Sequence, residues 1–270
     1  MRHSMAQQTT SAAAADARFT DPLLSGPARL ARSIVCVLGG RFSAELGIDV
    51  DAGDAEVERW FLAATLFGTR ISAAVAERTF AVLNEAGLTR IGQVRHMPSE
   101  DLIELLDAGG YARYDFRTTS RLQALSELVD ERYDGRVGEI GSRHQAYPAL
   151  RTALIVLPGW GPVTVQLFLR ELRGVWPGAQ PPLDPRAAIG ANHLGLLSEE
   201  QGFAALPQIA RLAAAAGLDI RDLESGLVRL ALAHRRTRSA CPGGDQCGVL
   251  GAHARGPGVR SGRGAGFPRV

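Results

Sequence analysis

Leu157-Pro158-Gly159-Trp160-Gly161-Pro162-Val163-Thr164-Val165 is the stretch on which the reading of this sequence turns. It joins two short apolar runs of helical spacing, Leu150 to Leu157 and Val163 to Leu172. Two glycines in so short a connection allow backbone torsions closed to other residues. The second helix would then turn its first free N–H groups, and its positive dipole end, outward. That arrangement suits a phosphate oxygen and would position DNA without reading its bases. A plain helix–helix turn could carry the same letters, and the pentapeptide 157–161 alone leaves both readings open.

Outward from this hairpin the chain is a series of helical patterns. Val57, Trp60, Phe61 and Ala64 share one face at a period near 3.6. Ile71 to Leu83 forms another pattern, ended by Gly87. Pro98-Ser99 opens a segment carrying Leu102, Ile103, Leu105 and Leu106, and Gly109-Gly110 stops it. Leu122, Leu125, Leu128 and Val129 line a longer helix, and Leu223 to Leu232 forms the last. Ser198-Glu199-Glu200-Gln201 is a capping-box pattern opening a helix of its own. No run alternates long enough for a sheet, so the expected fold is all-α, with roughly ten short helices and no solenoid repeat. Residues 1–27 read as a loose tail, and 239–270, rich in Gly, Arg and Pro, as a disordered cationic one.

Composition narrows the function. The 270 residues allow one large or two small domains, and 46% hydrophobic content is ample for a core. Aromatics at 6% argue against an aromatic sheet platform for single strands. No apolar run approaches a membrane span, and the N-terminal stretch lacks a signal core, so a cytoplasmic protein is expected, associated with the nucleoid if bacterial. Three cysteines, Cys36, Cys241 and Cys247, argue for a reducing compartment rather than a disulfide framework. The net charge of +2 leaves nucleic-acid binding open, since a local patch matters more than the sum. All 30 basic residues are Arg, and there is no Lys. Codon bias is the simplest origin of that absence, but it excludes any lysine Schiff base or P-loop lysine.

Twenty residues after Thr164 stands Asp184, within Leu183-Asp184-Pro185-Arg186 and the run AAIGANHLGL that ends at Leu196. Together, LPGWGPVTV (157–165) and LDPRAAIGANHLGL (183–196) resemble the helix-hairpin-helix glycosylase superfamily of base-excision repair, of which endonuclease III is the best-known member. That family carries LPGxGxxTA, then VDTHVxRVANRLGL with its catalytic aspartate second. WFLAATLFGTRIS (60–72) is similar to the family's first barrel helix and DNA-probing loop, and the weaker likeness continues through GGYARYDFRTTSRL (109–122). It covers about residues 30–235, while FLRELRGVWP (168–177) marks a divergent branch.

The resemblance implies a two-lobed helix-hairpin-helix architecture within residues 28–238, with a central DNA-binding groove between the lobes. One lobe would hold about 54–165, and the other about 28–50 and 166–238. It implies a monofunctional glycosylase that flips a damaged or mismatched nucleotide from double-stranded DNA and hydrolyses its N-glycosidic bond. The partner is then duplex DNA, with no membrane, and the protein a monomer. Asp184 would stabilise the cationic sugar or orient water. It also reads as an N-cap ahead of Pro185, and the two roles can coexist. Pro185-Arg186 replaces the family's Thr-His. DNA contacts would come from Leu157, Pro158, Gly159, Trp160, Gly161, Thr164, Thr69 and Arg70. Trp160 reads equally as packing, and Arg70 equally as a solvated loop residue. Tyr111 and Tyr114 would line a base pocket or pack. Arg113, Arg117 and Arg121, at helical spacing, form a phosphate-facing stripe or a solvated face. The rival reading is a non-catalytic DNA-binding module that keeps the hairpin.

Bifunctional relatives place a nucleophilic Lys where this chain has Val163; with no other Lys only the N-terminal amine remains, so for an active enzyme water is the expected nucleophile. Many relatives hold a [4Fe–4S] cluster on C-x6-C-x2-C-x5-C. Cys241 and Cys247 keep the last spacing, but Arg238 and Ala231 stand at the other two positions, so no cluster is expected. Two thiols with His234 or His253 match no recognised zinc spacing. His193 and His144 read as surface or core residues, and Cys36, within SIVCVL, as a small buried hydrophobe. No metal or cofactor is expected, apart from a monovalent cation that the hairpin could hold.

Overall fold

Every regular element among the described residues is helical. The computed structural model describes residues 25–68, 71–111, 115–197, 205–234 and 240–251. They form α1 (Gly26–Leu38), α2 (Phe42–Glu45), α3 (Asp54–Phe67), α4 (Ala73–Glu85), α5 (Ser99–Gly109), α6 (Asp115–Tyr133) and α7 (Gly138–Arg143). There follow α8 (Tyr147–Ile155), α9 (Pro162–Glu171), α10 (Pro185–His193), α11 (Ala205–Ala216), α12 (Ile220–Ala233) and α13 (Gly248–Gly251). The capping-box pattern at 198–201 lies outside the described residues; the helix after it is described from Ala205. No described helix is long and apolar enough to cross a membrane.

The chain divides into two compact units, one from both ends (25–41 and 182–251) and one from the middle (42–181). The sequence expectation cuts near 50 and 165. The structure cuts earlier at the first boundary, after Arg41, and later at the second, after Pro181. The later cut follows from Leu167, Phe168, Leu169, Leu172 and Trp176, which are buried in the middle unit's core and keep the whole of α9 there.

In the first unit, short polar side chains start the helices. Ser25 accepts the N–H of Ala28 at 3.4 Å to begin α1, and Asp219 accepts that of Arg221 at 2.8 Å to begin α12. Ala28, Ala31 and Ile34 recur every third residue and bury one face of α1. Cys36 lies about 200° around the helix from Ile34. It is exposed, which corrects the expectation that it packs as a core hydrophobe. Gly190 on α10 meets α12 so closely that a methyl group there would overlap the carbonyl oxygen of Leu227. The expectation of a disordered segment from 239 is also corrected: residues 240–251 include a 3-10 turn (Gly244–Gln246) and α13. Cys247 and Leu250 are buried in the first unit's core and anchor this polar stretch.

The second unit is organised by aromatic packing. Phe61 stacks on Trp160 at 4.5 Å, Phe168 meets Trp160 edge-on at 5.2 Å, and Trp176 meets Phe168 at 5.5 Å. The indole N–H of Trp60 donates to the carbonyl of Phe168 at 3.3 Å, and that of Trp160 to Thr65 Oγ1 at 3.1 Å. Glu171 is fully buried and accepts the N–H groups of Phe42 and Ser43 at 2.9 and 2.8 Å, tying α2 to the end of α9.

Candidate functional site

The hairpin joins α8 to α9 within the second unit. Gly159 has φ +80°, a left-handed conformation that favours glycine. A methyl group on Gly159 would also overlap the side-chain stem of Arg121, which crosses the turn from α6. Gly161 is extended (φ −124°, ψ −179°) and stands at the N-cap of α9 with no side chain capping the helix. A methyl group on Gly161 would meet nothing within 4 Å. Neither its torsions nor its neighbours require glycine there. Pro162 occupies the first turn, where its missing N–H costs nothing.

The side chains sort into two groups. Leu157, Trp160 and Thr164 are buried, so whatever this turn offers a ligand comes from main chain and from neighbours. Trp160 therefore takes the packing role of its two readings. Gly68, at the end of α3, lies directly against the Thr164 side chain and leaves no room for a methyl group. Pro158 and Gly161 are partly exposed, and Gly159, Pro162 and Val163 are exposed. Val163 is 57% exposed. Arg117, exposed, and Arg121, half-buried, stand one turn apart on α6, and Phe116 beside them is 71% exposed.

Asp184 belongs to the first unit and is 8% exposed. Its Oδ1 accepts the N–H of Arg186 at 2.8 Å and starts α10, and its own N–H donates to Glu224 Oε1 at 2.9 Å. Glu224 is itself fully buried on α12. The cap reading of the Asp-Pro pair is thus present in the geometry. Tyr111 is 1% exposed and donates to the carbonyl of Leu66 at 3.0 Å, so its ring belongs to the core rather than to an open base pocket. Thr69, Arg70, Arg113 and Tyr114 lie outside the described residues. His144 packs edge-on against Tyr133 at 6.3 Å.

A second cluster, which sequence reasoning did not assemble, lies in the first unit. One ligand atom from each of His193, His234, Cys241 and Cys247 lies within 4.8 Å of all the others. His193 ends α10, His234 caps the C-terminus of α12, and the two cysteines flank the 3-10 turn at Gly244–Gln246. His234 Nε2 and Cys247 Sγ are 3.0 Å apart, both residues buried, and the two imidazole rings lie 4.5 Å apart. Cys241 Sγ accepts the N–H of Gly248 at 3.3 Å. The N–H groups of Gly248 and Gly243 hold the Cys241 thiol below its ordinary range, whereas burial pushes that of Cys247 up. The cluster contains two thiols, and Cys36 is exposed on α1 outside it, so a four-thiolate iron–sulfur cluster does not fit these residues. The x5 spacing of Cys241 and Cys247 was visible in sequence, but nothing marked His193 as their neighbour.

Compared with known proteins, the chain matches no family model and no curated protein.

Proposed function

We propose that the chain is a monofunctional DNA N-glycosylase of the helix-hairpin-helix type. It binds duplex DNA through the 157–161 hairpin and hydrolyses the bond between sugar and a flipped, damaged or mismatched base, with Asp184 as the catalytic carboxylate. The observation that carries the DNA-binding half is the open face of Gly161. That position needs glycine for neither its torsions nor its packing, heads an uncapped helix, and shares its turn with the Arg121 stem. Main-chain N–H groups, the positive helix end and an adjacent guanidinium are a phosphate site of the ordinary kind. The catalytic half rests on the resemblance of 183–196 to the family's aspartate motif and on the chemistry of a carboxylate beside an oxocarbenium-like sugar.

The absence of lysine sets the second step. With Val163 at the lyase position and no Lys in the chain, water is the nucleophile and the product is an abasic site in an uncut strand. The non-catalytic reading has one observation in its favour: the Asp184 carboxylate already caps α10.

The deciding experiment incubates the protein with duplexes carrying uracil, thymine mismatches, alkylated purines or oxidised bases, then reveals abasic sites with alkali. Excision of one class without prior strand cleavage is expected. Asp184→Asn should lower single-turnover excision by about 10²–10⁴-fold, the usual contribution of a positioned acid or base, with duplex affinity largely kept. Salt-dependent binding with no excision on any duplex would leave the module reading standing. An efficient borohydride-trapped adduct would overturn the water mechanism.

A further inference from the structure

The histidine–cysteine cluster has the donors and spacing of a metal centre, with His234 and Cys247 buried and His193 and Cys241 partly so. We propose that His193, His234, Cys241 and Cys247 hold one zinc ion in a closed His2Cys2 shell, which fastens residues 240–251 to the ends of α10 and α12. The donor set comes first: two sulfurs and two imidazole nitrogens are the mixed set that borderline-soft zinc takes in structural sites. Spacing agrees. With Zn–S of about 2.3 Å and Zn–N of about 2.0–2.1 Å, neighbouring ligand atoms of a tetrahedron lie about 3.3–3.8 Å apart. His234 Nε2 and Cys247 Sγ are 3.0 Å apart, and no two of the four ligand atoms are farther apart than 4.8 Å, so small side-chain adjustments close the shell.

The same short distance argues against a binuclear iron–sulfur centre with two histidines on one iron and two cysteines on the other. A nitrogen and a sulfur 3.0 Å apart belong to one metal atom rather than to opposite ends of a cluster.

Three further features point to a ligand. Nε2 of His193 is buried and has no hydrogen-bond partner, a costly state for an imidazole nitrogen. Gly243, at φ +75°, lies against His193 so closely that a methyl group would overlap the His193 carbonyl oxygen. The loop between the cysteines is thereby drawn over that histidine. The Gly248 N–H donates to Cys241 Sγ at 3.3 Å, which fixes where that sulfur points. With all four positions supplied by protein, there is no open site for a substrate, so the role is structural.

The proposal is independent of the glycosylase reading, and its test needs no activity. The full-length chain, freed of any histidine tag, is stripped with chelator, reloaded with zinc or cobalt(II) and dialysed. Retention of one zinc per chain, an X-ray absorption shell of two sulfurs and two nitrogens, and a cobalt spectrum with tetrahedral d–d bands and sulfur charge transfer are expected. Cys247→Ser and His193→Ala should each lose stoichiometric retention, while Cys36→Ser keeps it. Because ligand variants can fail to fold, the wild-type cobalt spectrum reads the site without them, and far-UV circular dichroism reports their helicity. Failure of the wild-type chain to retain zinc, a cobalt spectrum without sulfur charge transfer, retention undiminished in folded His193→Ala, or iron–sulfur absorption in the purified protein would each overturn it.

Discussion

The 157–161 hairpin and the histidine–cysteine corner are built by opposite routes. The hairpin is contiguous in sequence and works through its backbone: its larger side chains, Leu157 and Trp160, are buried, and what it presents is the turn of Gly159 and the open Gly161. The corner is made of side chains from four separate positions, and its backbone serves to bring them together, through the α10–α12 approach at Gly190 and the loop at Gly243. A backbone site tolerates substitution of its neighbours but not of its torsions. A side-chain site tolerates neither loss of a ligand nor a shift of the helices carrying it. The two should therefore fail differently when perturbed.

The largest effect is expected at the corner. At free zinc of about a hundred times its dissociation constant, binding to the native state alone adds about 2.7 kcal/mol of stability. That corresponds to a melting shift of about 5–10 °C for a chain of this size. Chelator should remove the shift and zinc restore it, measured by calorimetry on the full chain. Metal-independent melting would reduce the corner to a histidine–thiol hydrogen bond and erase the contrast with the hairpin.

Next in size is a pair of substitutions in the hairpin. Gly159→Ala forces a side chain into a left-handed conformation, at about 1–2 kcal/mol, and overlaps the Arg121 stem. Gly161→Ala meets no neighbour at an ordinary extended φ, so its stability should stay within about 0.5 kcal/mol of wild type. If a phosphate approaches that backbone, Gly161→Ala should nonetheless weaken duplex binding. Arg121→Ala should flatten the salt dependence of binding by about 0.9 in log–log slope, the loss of one phosphate contact. Equal affinity for wild type and Gly161→Ala would remove the observation on which the DNA-binding proposal rests.

The same contrast explains what was legible in the sequence. The helices at 73–85, 99–109 and 115–133 could be read from apolar periodicity because each buries a stripe, and that at 54–67 because Val57, Trp60, Phe61 and Ala64 keep the period although Trp60 to Leu66 is buried all round. The hairpin and the Asp184 cap could be read because proline, glycine and aspartate act locally. The corner could not. His193 and His234 are 41 positions apart, joined only through the packing of α10 on α12, and no spacing rule spans that gap. Residues 240–251 look disordered by composition, since Gly, Pro and Asp outnumber the two residues, Cys247 and Leu250, whose burial secures them. Cys36 misled in the reverse direction: its apolar neighbours suggest burial, while its angular position on α1 turns it outward.

The smallest predicted effect lies in the second unit and involves neither site. Glu58 on α3 is buried and accepts the N–H of Val137 at 2.7 Å. Burial raises its pKa above the ordinary glutamate value, and the Val137 N–H and the Arg90 charge only partly oppose this. A carboxyl raised by folding stabilises the fold at low pH, where it is protonated in both states, relative to higher pH. The contribution is lost as pH rises through the folded-state pKa, because the unfolded chain then ionises more easily. Glu58→Gln keeps an oxygen to accept the Val137 N–H and cannot ionise. Between mildly acidic and neutral pH, wild type should therefore lose melting temperature relative to Glu58→Gln. Parallel melting curves for the two proteins would show that Glu58 is solvated in solution. The measurement also isolates the corner: at neutral pH the chelator-dependent shift should be the same in both proteins, since Glu58 belongs to the unit that carries no zinc ligand.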